Sequence, residues 1–299
     1  MAGREWVHRG EYALFRAAEW AAGRMSWEGR ARVGRALGRL WHLVDRCHRR
    51  VALDNVRQAF PDRPEGWVRK LVRANFEHLG TTVCEFLGSH RVTREELLSR
   101  YRFEGDEHAE AALSEGKGLL VLTAHLGNWE LAGTAVAAKG YRFHAIGRRI
   151  ANPWVDRHVR ALRERFGARV IPHRNAVRPV LRVLREGGIV AFLMDQRALR
   201  DEAVPSRFFG RPVATNRGLA TLALRTGTPV IPVFGRRDGK VHVLRVGPAL
   251  EPPRGGTLED RIVRYTRLFD GAIEQAVREC PEQWFWVHRR WRLPGGWAP

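Results

Sequence analysis

The chain has 299 residues, and because no Ser/Gly-rich linker, low-complexity tract or internal repeat marks a boundary, we expect one continuous domain rather than two small ones. Its formal net charge of +20 indicates an anionic partner, and charge alone leaves open nucleic acid, a membrane surface and an acidic carrier protein. The three cysteines are widely spaced and lack a C-x-x-C pattern, which argues against a disulfide framework or zinc site and fits a reducing cytosol.

Residues 1–100 predict a helical region that is a candidate for membrane association. In the second part of residues 5–50, apolar side chains recur at helical spacing among many arginines: Val33, Leu37, Leu40, Trp41 and Val44. Such a basic amphipathic helix suits a membrane interface and equally an ordinary surface helix packed on the core. The interface is slightly favoured by four tryptophans: Trp6, Trp20, Trp27 and Trp41. We expect residues 55–61 to break the helix and residues 65–87 to form another.

No cleavable signal or transmembrane helix is predicted. The apolar stretch at residues 12–22 is short and is interrupted by Arg16 and Glu19. The longer stretch at residues 117–139 contains polar residues at its centre, and we interpret it as a strand, a turn and a helix.

Residues 101–299 predict an α/β body. Strands are expected near residues 119–122, 143–147, 169–172, 189–193, 230–234 and 241–246, the last two as a hairpin. Helices are expected at residues 129–138, 153–166, 175–186, 215–225 and 257–279, with Asn152 as the N-cap of the second and Thr257 with Asp260 opening the last. This alternation predicts a single mixed, largely parallel sheet flanked by helices.

The stretch from Gly118 to Glu130 organises the body. Its apolar run predicts a buried strand, after which Gly127 supplies a turn and Asn128 caps a helix. His125 and Glu130 therefore lie at the carboxyl end of a strand, where open α/β sheets usually bind ligands. A histidine paired with a carboxylate can take a proton from a hydroxyl.

The His-x4-acid spacing alone is a weak signal. With 12 histidines and 32 acidic residues in 299 positions, about one match is expected by chance, and the chain contains two. The second pair, His90 and Glu95, lies in a polar segment with no preceding strand and is best explained as a solvated helix start. For His125 the alternative is a core histidine bonded to a backbone carbonyl.

Two further residues are candidates for the same crevice. Asp195 follows a predicted strand in the same topological position as His125, and Arg163 lies in the helix capped by Asn152. The alternatives are a turn or capping aspartate and a solvated arginine. Residues 207–212, Arg-Phe-Phe-Gly-Arg-Pro, resemble a mobile loop with apolar and cationic tips, or a plain connection.

Several chemistries lack their motifs in this sequence. G-x-G-x-x-G and Walker patterns do not precede a helix, so no nucleotide cofactor is implied. The G-x-S-x-G elbow of serine hydrolases is absent, and Asp156 with His158 is too poorly accompanied to indicate a metal site.

Residues 55–291 resemble the bacterial lipid A secondary acyltransferases, the lauroyl and myristoyl transferases, within the broader glycerolipid-type acyltransferases. Several blocks match in order: Asn55-Val56 with Phe60-Pro61, His125-Leu126-Gly127-Asn128-Trp129-Glu130, Asn152-Pro153 with Arg163 and Gly167, Asp195-Gln196, Phe208-Phe209-Gly210, and the tail from Pro281 to Trp291. The resemblance implies His125 as general base, Glu130 as the acid that orients it, and Arg163, Asp195 and Asn128 as substrate-binding residues. Many relatives begin with a hydrophobic anchor helix, whereas this N-terminus is charged, which favours peripheral attachment.

The sequence therefore predicts an acyltransferase without a bound cofactor. The resemblance implies that it moves an acyl chain from acyl carrier protein or coenzyme A to a hydroxyl of a membrane glycolipid, most simply a lipid A precursor. It implies a place on the cytoplasmic face of the inner membrane. One alternative acceptor is another membrane lipid, such as a mannosylated inositol lipid. The alternative from another class is a basic nucleic-acid-binding protein, for which no recognised binding module is found.

Overall fold

The computed structural model describes residues 2–295, with side chains from Glu5 onward. These residues form eleven α-helices: α1 (Ala2–Arg24), α2 (Trp27–Val44), α3 (Arg46–Ala59), α4 (Glu65–Gly88), α5 (Arg94–Ser99), α6 (Asp106–Ser114), α7 (Trp129–Ala138), α8 (Pro153–Arg163), α9 (Val177–Arg185), α10 (Gly218–Thr226) and α11 (Leu258–Glu279). They also form nine strands: β1 (Tyr101–Glu104), β2 (Leu119–Thr123), β3 (Phe143–Gly147), β4 (Arg169–Pro172), β5 (Ile189–Leu193), β6 (Ala203–Phe208), β7 (Arg211–Asn216), β8 (Val230–Asp238) and β9 (Val241–Val246).

Seven of these strands make one sheet in the order β1-β9-β8-β2-β5-β3-β4. Its neighbours run parallel except for the β8–β9 hairpin, so the predicted mixed, largely parallel sheet is confirmed. Strand β2 lies near the middle and is covered on both faces. Leu120 and Leu122 pack into one core cluster, whereas Leu119 and Val121 pack into another, as the period of two in a strand requires.

Helix α3 is longer than predicted. It runs through Asn55 and ends only at Ala59, because Ala52, Val56 and Ala59 bury one side of it in the core. The predicted helix break at residues 55–61 is therefore wrong at its beginning, because the helix ends at Ala59 and not before Asn55. Asn55 is also buried, but through hydrogen bonds and not apolar packing. Its side-chain amide donates to the carbonyl oxygens of Trp286 and His288 at 2.7 Å each.

Helix α2 packs against α4 through glycines instead of through its apolar residues. Gly34 and Gly38 lie so close to α4 that a Cβ at Gly38 would overlap the carbonyl oxygen of Phe76. The apolar side of α2 consequently faces solvent and includes Val33, Leu37, Leu40, Leu43 and Val44. The helix does pack on the core, as the surface-helix alternative predicts, but through Gly34 and Gly38, and of the predicted apolar residues only Trp41 packs against a core cluster. Within residues 2–295, none of the helices combines the length and apolarity needed to cross a bilayer.

The four N-terminal tryptophans divide between surface and interior. Trp6 and Trp20 are exposed. Trp27 is buried in one core cluster, and Trp41 is partly buried against a different core cluster. Only the first two remain candidates for an interface.

Residues 207–212 form the turn region of the β6–β7 hairpin, with the cationic side chains of Arg207 and Arg211 exposed and the apolar ones inside. The rings of Phe208 and Phe209 are buried and lie against Trp286 and Trp291. Because β7 extends to Asn216 to pair with β6, helix α10 begins at Gly218, three residues later than the predicted 215.

Candidate active site

The carboxyl ends of β2 and β5 bring His125 and Asp195 together. The two strands are parallel neighbours, with Thr123 opposite Leu193, and each candidate residue follows its strand by two positions. The backbone N–H of Met194 donates to the carbonyl oxygen of Thr123 at 3.0 Å and keeps the two ends in register. The two residues therefore meet, as their positions after the strands predict, but Asp195 is buried and does not open into a crevice.

Asp195 holds the His125 ring from one side. Nδ1 of His125 donates to Oδ1 at 2.9 Å, and the backbone N–H of His125 donates to Oδ2 at 3.0 Å. The indole N–H of Trp284 also donates to Oδ2, at 2.8 Å, and is the third donor to this carboxylate. Burial works against ionisation of Asp195, but its contacts with His125 and Trp284 outweigh burial and keep the carboxyl pKa below its ordinary value.

The opposite ring nitrogen of His125, Nε2, lies away from Asp195. A donor at Nδ1 leaves Nε2 as the unprotonated nitrogen, and Nε2 lies 3.4 Å from the side-chain nitrogen of Gln196. About 21% of the His125 side chain is exposed, so a substrate hydroxyl can reach it. The rings of Trp129 and Phe285 lie 5.3 and 5.8 Å from the imidazole and limit its rotation.

Glu130 binds Arg163 and not His125. Nε and Nη2 of Arg163 each donate to one Glu130 oxygen at 2.7 Å, a bidentate arrangement. Burial works against the charge on Arg163, yet Glu130 raises the guanidinium pKa above its ordinary value. The role predicted for Glu130, orienting His125, is taken by Asp195 in this structure, because the adjacent strand β5 presents its carboxylate directly to Nδ1.

Asn128 supports the loop from inside and does not face the crevice. Its side-chain oxygen accepts from the Leu131 N–H at 3.3 Å, the predicted N-cap of α7, and its amide donates to Glu85 at 2.8 Å. With both groups used inside the protein and only 3% of the residue exposed, a substrate-binding role does not fit Asn128.

A buried carboxylate behind the loop was not found from the sequence. Glu85 on α4 is fully buried and accepts two hydrogen bonds from Arg237, at 2.7 and 2.6 Å, in addition to that from Asn128. Burial opposes its charge, but His242 and Arg237 lower the Glu85 pKa to about 2. The neighbouring His78 lies 3.1 Å from the carbonyl oxygen of Gly127, and burial lowers its pKa to about 4.

The C-terminal tail closes around the same loop. The Phe285 N–H donates to the carbonyl oxygen of His125 at 3.1 Å, and the Gly127 N–H donates to that of Gln283 at 3.2 Å. Asn75 on α4 holds the tail by donating to the carbonyl oxygens of Glu282 and Trp284. The tail block noted in the sequence thus builds the back of the site.

A buried ion pair fixes the segment after Asp195. Nη2 of Arg290 donates to Asp270 at 2.7 Å, with both side chains fully buried, and Nη1 donates to the carbonyl oxygen of Gln196 at 3.0 Å. Arg290 lies in the tail block, which was the only sequence signal for it.

Comparison with known proteins identifies the family of this chain. A family model described as "Bacterial lipid A biosynthesis acyltransferase" matches residues 8–293, which extends the resemblance into the N-terminal helices. The chain is 29% identical to a lipid A biosynthesis acyltransferase of Haemophilus influenzae over 65% of its own length and 60% of that protein's. It is 28% identical to a phosphatidylinositol mannoside acyltransferase of Mycobacterium tuberculosis, over 62% of this chain and 58% of the relative.

A longer match is the lipid A biosynthesis myristoyltransferase of Escherichia coli, at 26% identity over 90% of this chain and 82% of the relative. With the Haemophilus and Mycobacterium relatives, the chain aligns with only about three-fifths of their length. The family model, in contrast, covers almost the whole of this sequence. The chain therefore belongs to the bacterial lipid A biosynthesis acyltransferase family.

Proposed function

We propose that this protein transfers a fatty acyl chain from an acyl thioester to a hydroxyl of a membrane glycolipid. The observation that carries the proposal is the buried Asp195 on Nδ1 of His125, which leaves Nε2, the nitrogen beside Gln196, as the proton acceptor of a side chain that is about 21% exposed. In a chain of this family, that arrangement supports His125 as a general base.

The proposed reaction is direct transfer without a covalent enzyme intermediate. Nε2 of His125 takes the proton of the acceptor hydroxyl while its oxygen bonds to the thioester carbonyl carbon. The carbon–sulfur bond then breaks, and the imidazolium returns the proton to the leaving thiolate. Asp195 stabilises the imidazolium in between, as the aspartate of a catalytic triad does.

Arg163 is the side chain proposed to stabilise the oxyanion, together with backbone N–H groups at the start of α7. Two of its three nitrogens bind Glu130, which fixes the plane of the guanidinium group. Glu130 is on this account a positioning residue for Arg163.

The acceptor is proposed to be a lipid A precursor, with a mannosylated inositol lipid as the second candidate. Relatives of both kinds align with this chain at similar identity, 29% and 28%. For the donor, we propose an acyl group on acyl carrier protein or coenzyme A. The net charge of +20 suits an acidic carrier, and charge alone supports the nucleic-acid alternative.

We further propose that α1 and α2 attach the protein to the cytoplasmic face of the inner membrane. Leu43 and Val44 are 66% and 67% exposed, and Trp6, Leu14 and Trp20 are exposed on α1. Exposed apolar residues beside arginines suit an anionic bilayer surface.

Vesicle binding tests the attachment. Replacing Leu40, Leu43 and Val44 by serine should weaken binding to anionic vesicles at least about tenfold, because each residue removes apolar area that enters the interface. The matched control replaces Val177 and Leu199, which are exposed elsewhere, by serine. Equal weakening by both variants, or wild-type binding that does not fall with salt, would contradict the proposal.

Acyl transfer itself is tested with the purified chain, acyl carrier protein or coenzyme A thioesters and a panel of hydroxylated glycolipids, with products resolved by mass. The proposal predicts one acylated acceptor, whose identity separates the lipid A reading from the inositol lipid reading. A folded, vesicle-bound protein that acylates none of the panel contradicts it.

A further inference from the structure

A cleft lined by arginines also includes His288, which lies close enough to Asp195 and His125 for their charges to act on it, and the proposed reaction does not yet use this cleft. Its larger part has a volume of about 570 Å³ and its narrower part about 290 Å³, and the two share Cys47, Val51, Arg289 and Arg292 as walls. We name it the arginine cleft after Arg46, Arg50, Arg197, Arg289 and Arg292.

The positive charge of this cleft is not neutralised by the protein. Within residues 2–295, none of its five arginines makes an ion pair with a carboxylate. One carboxylate, Asp54, also lines the larger part, but it pairs with Arg57 at 3.1 Å, and the nearby Asp45 accepts from Trp41 and His48. Holding like charges together without a counterion is unfavourable, so the cleft is suited to an anionic ligand.

The cleft and the His125 site are built from the same two chain segments. Arg197 directly follows Gln196, whose amide lies 3.4 Å from Nε2 of His125. Arg289 and Arg292 lie on the tail segment whose Phe285 packs against the His125 ring. We therefore expect one ligand molecule to place one of its groups in the cleft and another group at His125.

Guanidinium groups bind phosphate in a bidentate fashion, and several of them together suit its multiple charges better than a single carboxylate. The cleft also begins at Arg46, immediately after the exposed apolar end of α2 that we propose to touch the membrane. Its ligand would accordingly lie at the level of lipid headgroups.

We infer that the arginine cleft binds a phosphate group on the headgroup of the acceptor glycolipid and thereby places the acceptor hydroxyl at Nε2 of His125. This inference rests on the proposed function, since it assigns the phosphate to the acceptor of that reaction. A phosphate of the donor is the other source of the same chemistry.

The decisive variant replaces Arg50, Arg289 and Arg292 by glutamine; all three are exposed, so the fold should survive. The KM for a phosphorylated glycolipid acceptor should rise at least about tenfold, the loss expected from one charge-assisted hydrogen bond. The KM for the same acceptor after phosphatase treatment should not change. The matched control replaces Arg178, Arg182 and Arg185, which are exposed on α9, by glutamine and removes the same charge.

Equal effects of the two triple variants, or an equal rise with the dephosphorylated acceptor, would overturn the inference. The donor arm compares acyl-coenzyme A with acyl-pantetheine, which has no phosphate. A rise in KM confined to acyl-coenzyme A would overturn the assignment to the acceptor and assign the phosphate to the donor.

A binding arm separates this inference from the proposed function. Calorimetry with the full-length His125→Ala variant should detect glucosamine 1-phosphate but not glucosamine, and the added arginine substitutions should abolish the binding. Phosphate binding without acyl transfer to any acceptor would contradict the proposed function alone. Acyl transfer without any phosphate dependence would contradict the cleft inference alone.

Discussion

Two buried carboxylates lie behind the His125 loop, and they differ in what their partners can reach. Asp195 binds a histidine that keeps about 21% of its side chain exposed, so the partner can meet a substrate. Glu85 binds Asn128, Arg237 and His242, and its loop-side partner Asn128 uses both side-chain groups inside the protein. Each carboxyl pKa is lowered, so the charge is similar in both places. We therefore expect Asp195 to contribute mainly to turnover and Glu85 mainly to the stability of the loop.

The largest expected effect is that of Asp195→Asn on turnover. We expect kcat to fall at least about 10³-fold, since the corresponding change in a serine protease triad costs about 10⁴-fold. The free energy of unfolding should fall by only about 1–2 kcal/mol, because the amide of asparagine can still hydrogen-bond to His125 and Trp284. Steady-state kinetics and urea unfolding measure the two quantities. A large loss of stability with kcat nearly intact would reverse the comparison.

Glu85→Gln should show the opposite balance. It leaves the Arg237 charge without its carboxylate, which costs about 3–5 kcal/mol of unfolding free energy when such a pair is buried. The kcat of the folded fraction should stay within about tenfold of wild type. The double variant Glu85→Gln/Arg237→Gln should recover part of the stability, because both charges are removed together. If the double variant is less stable than the single one, the pair is not coupled as described.

The pH dependence of stability tests the structural role of the buried residues behind the His125 loop. The folded-state pKa of His78 is lowered to about 4, so below the unfolded value near 6.5 only the unfolded chain gains this proton. Stability should therefore fall by about 3 kcal/mol as pH decreases from about 6.5 to 4. His78→Gln can still donate to the Gly127 carbonyl oxygen and should remove this part of the pH dependence. Urea unfolding at pH 7, 5.5 and 4.5 gives the unfolding free energy at each pH. If it falls as steeply in His78→Gln as in wild type, His78 is not the cause.

The smallest expected effect concerns one donor to Asp195. Trp284→Phe removes the indole N–H at 2.8 Å and keeps most of the ring, so kcat should fall roughly tenfold. Trp286→Phe is the matched control, because its N–H donates to the carbonyl oxygen of Pro281 instead. Equal kcat values for the two variants would show that this hydrogen bond does not contribute to turnover.

Much of the fold follows from local patterns in the sequence. The apolar run of β2, the Asn128 and Asn152 caps and the capping box of Thr257 with Asp260 all act within a few residues, and each was predicted. The outward side of α2 was not decided by periodicity, because Gly34 and Gly38 allow α4 to approach the other side of the helix.

The sequence predicted which residues form the site better than it predicted which of them contact one another. His125 and Asp195 follow parallel strands, so topology alone predicts that they meet. The spacing of His125 and Glu130 indicates only nearness along the chain, whereas the direction of each side chain depends on β5 and on Arg163. Glu85 and Arg237 belong to distant elements with no local pattern, and only the assembled fold brings them together.

The central claim, that His125 acts as a base aligned by Asp195, is tested most directly by the kcat of His125→Ala, Asp195→Asn and the double variant in the acyl transfer assay. His90→Ala, which carries the same His-x4-acid spacing outside the site, is the control. Because residues that act as a unit are not additive, the double variant should lose no more than about threefold beyond His125→Ala, which itself should lose about 10³–10⁴-fold. Losses that multiply, or a His125→Ala loss no larger than that of His90→Ala, would contradict the account.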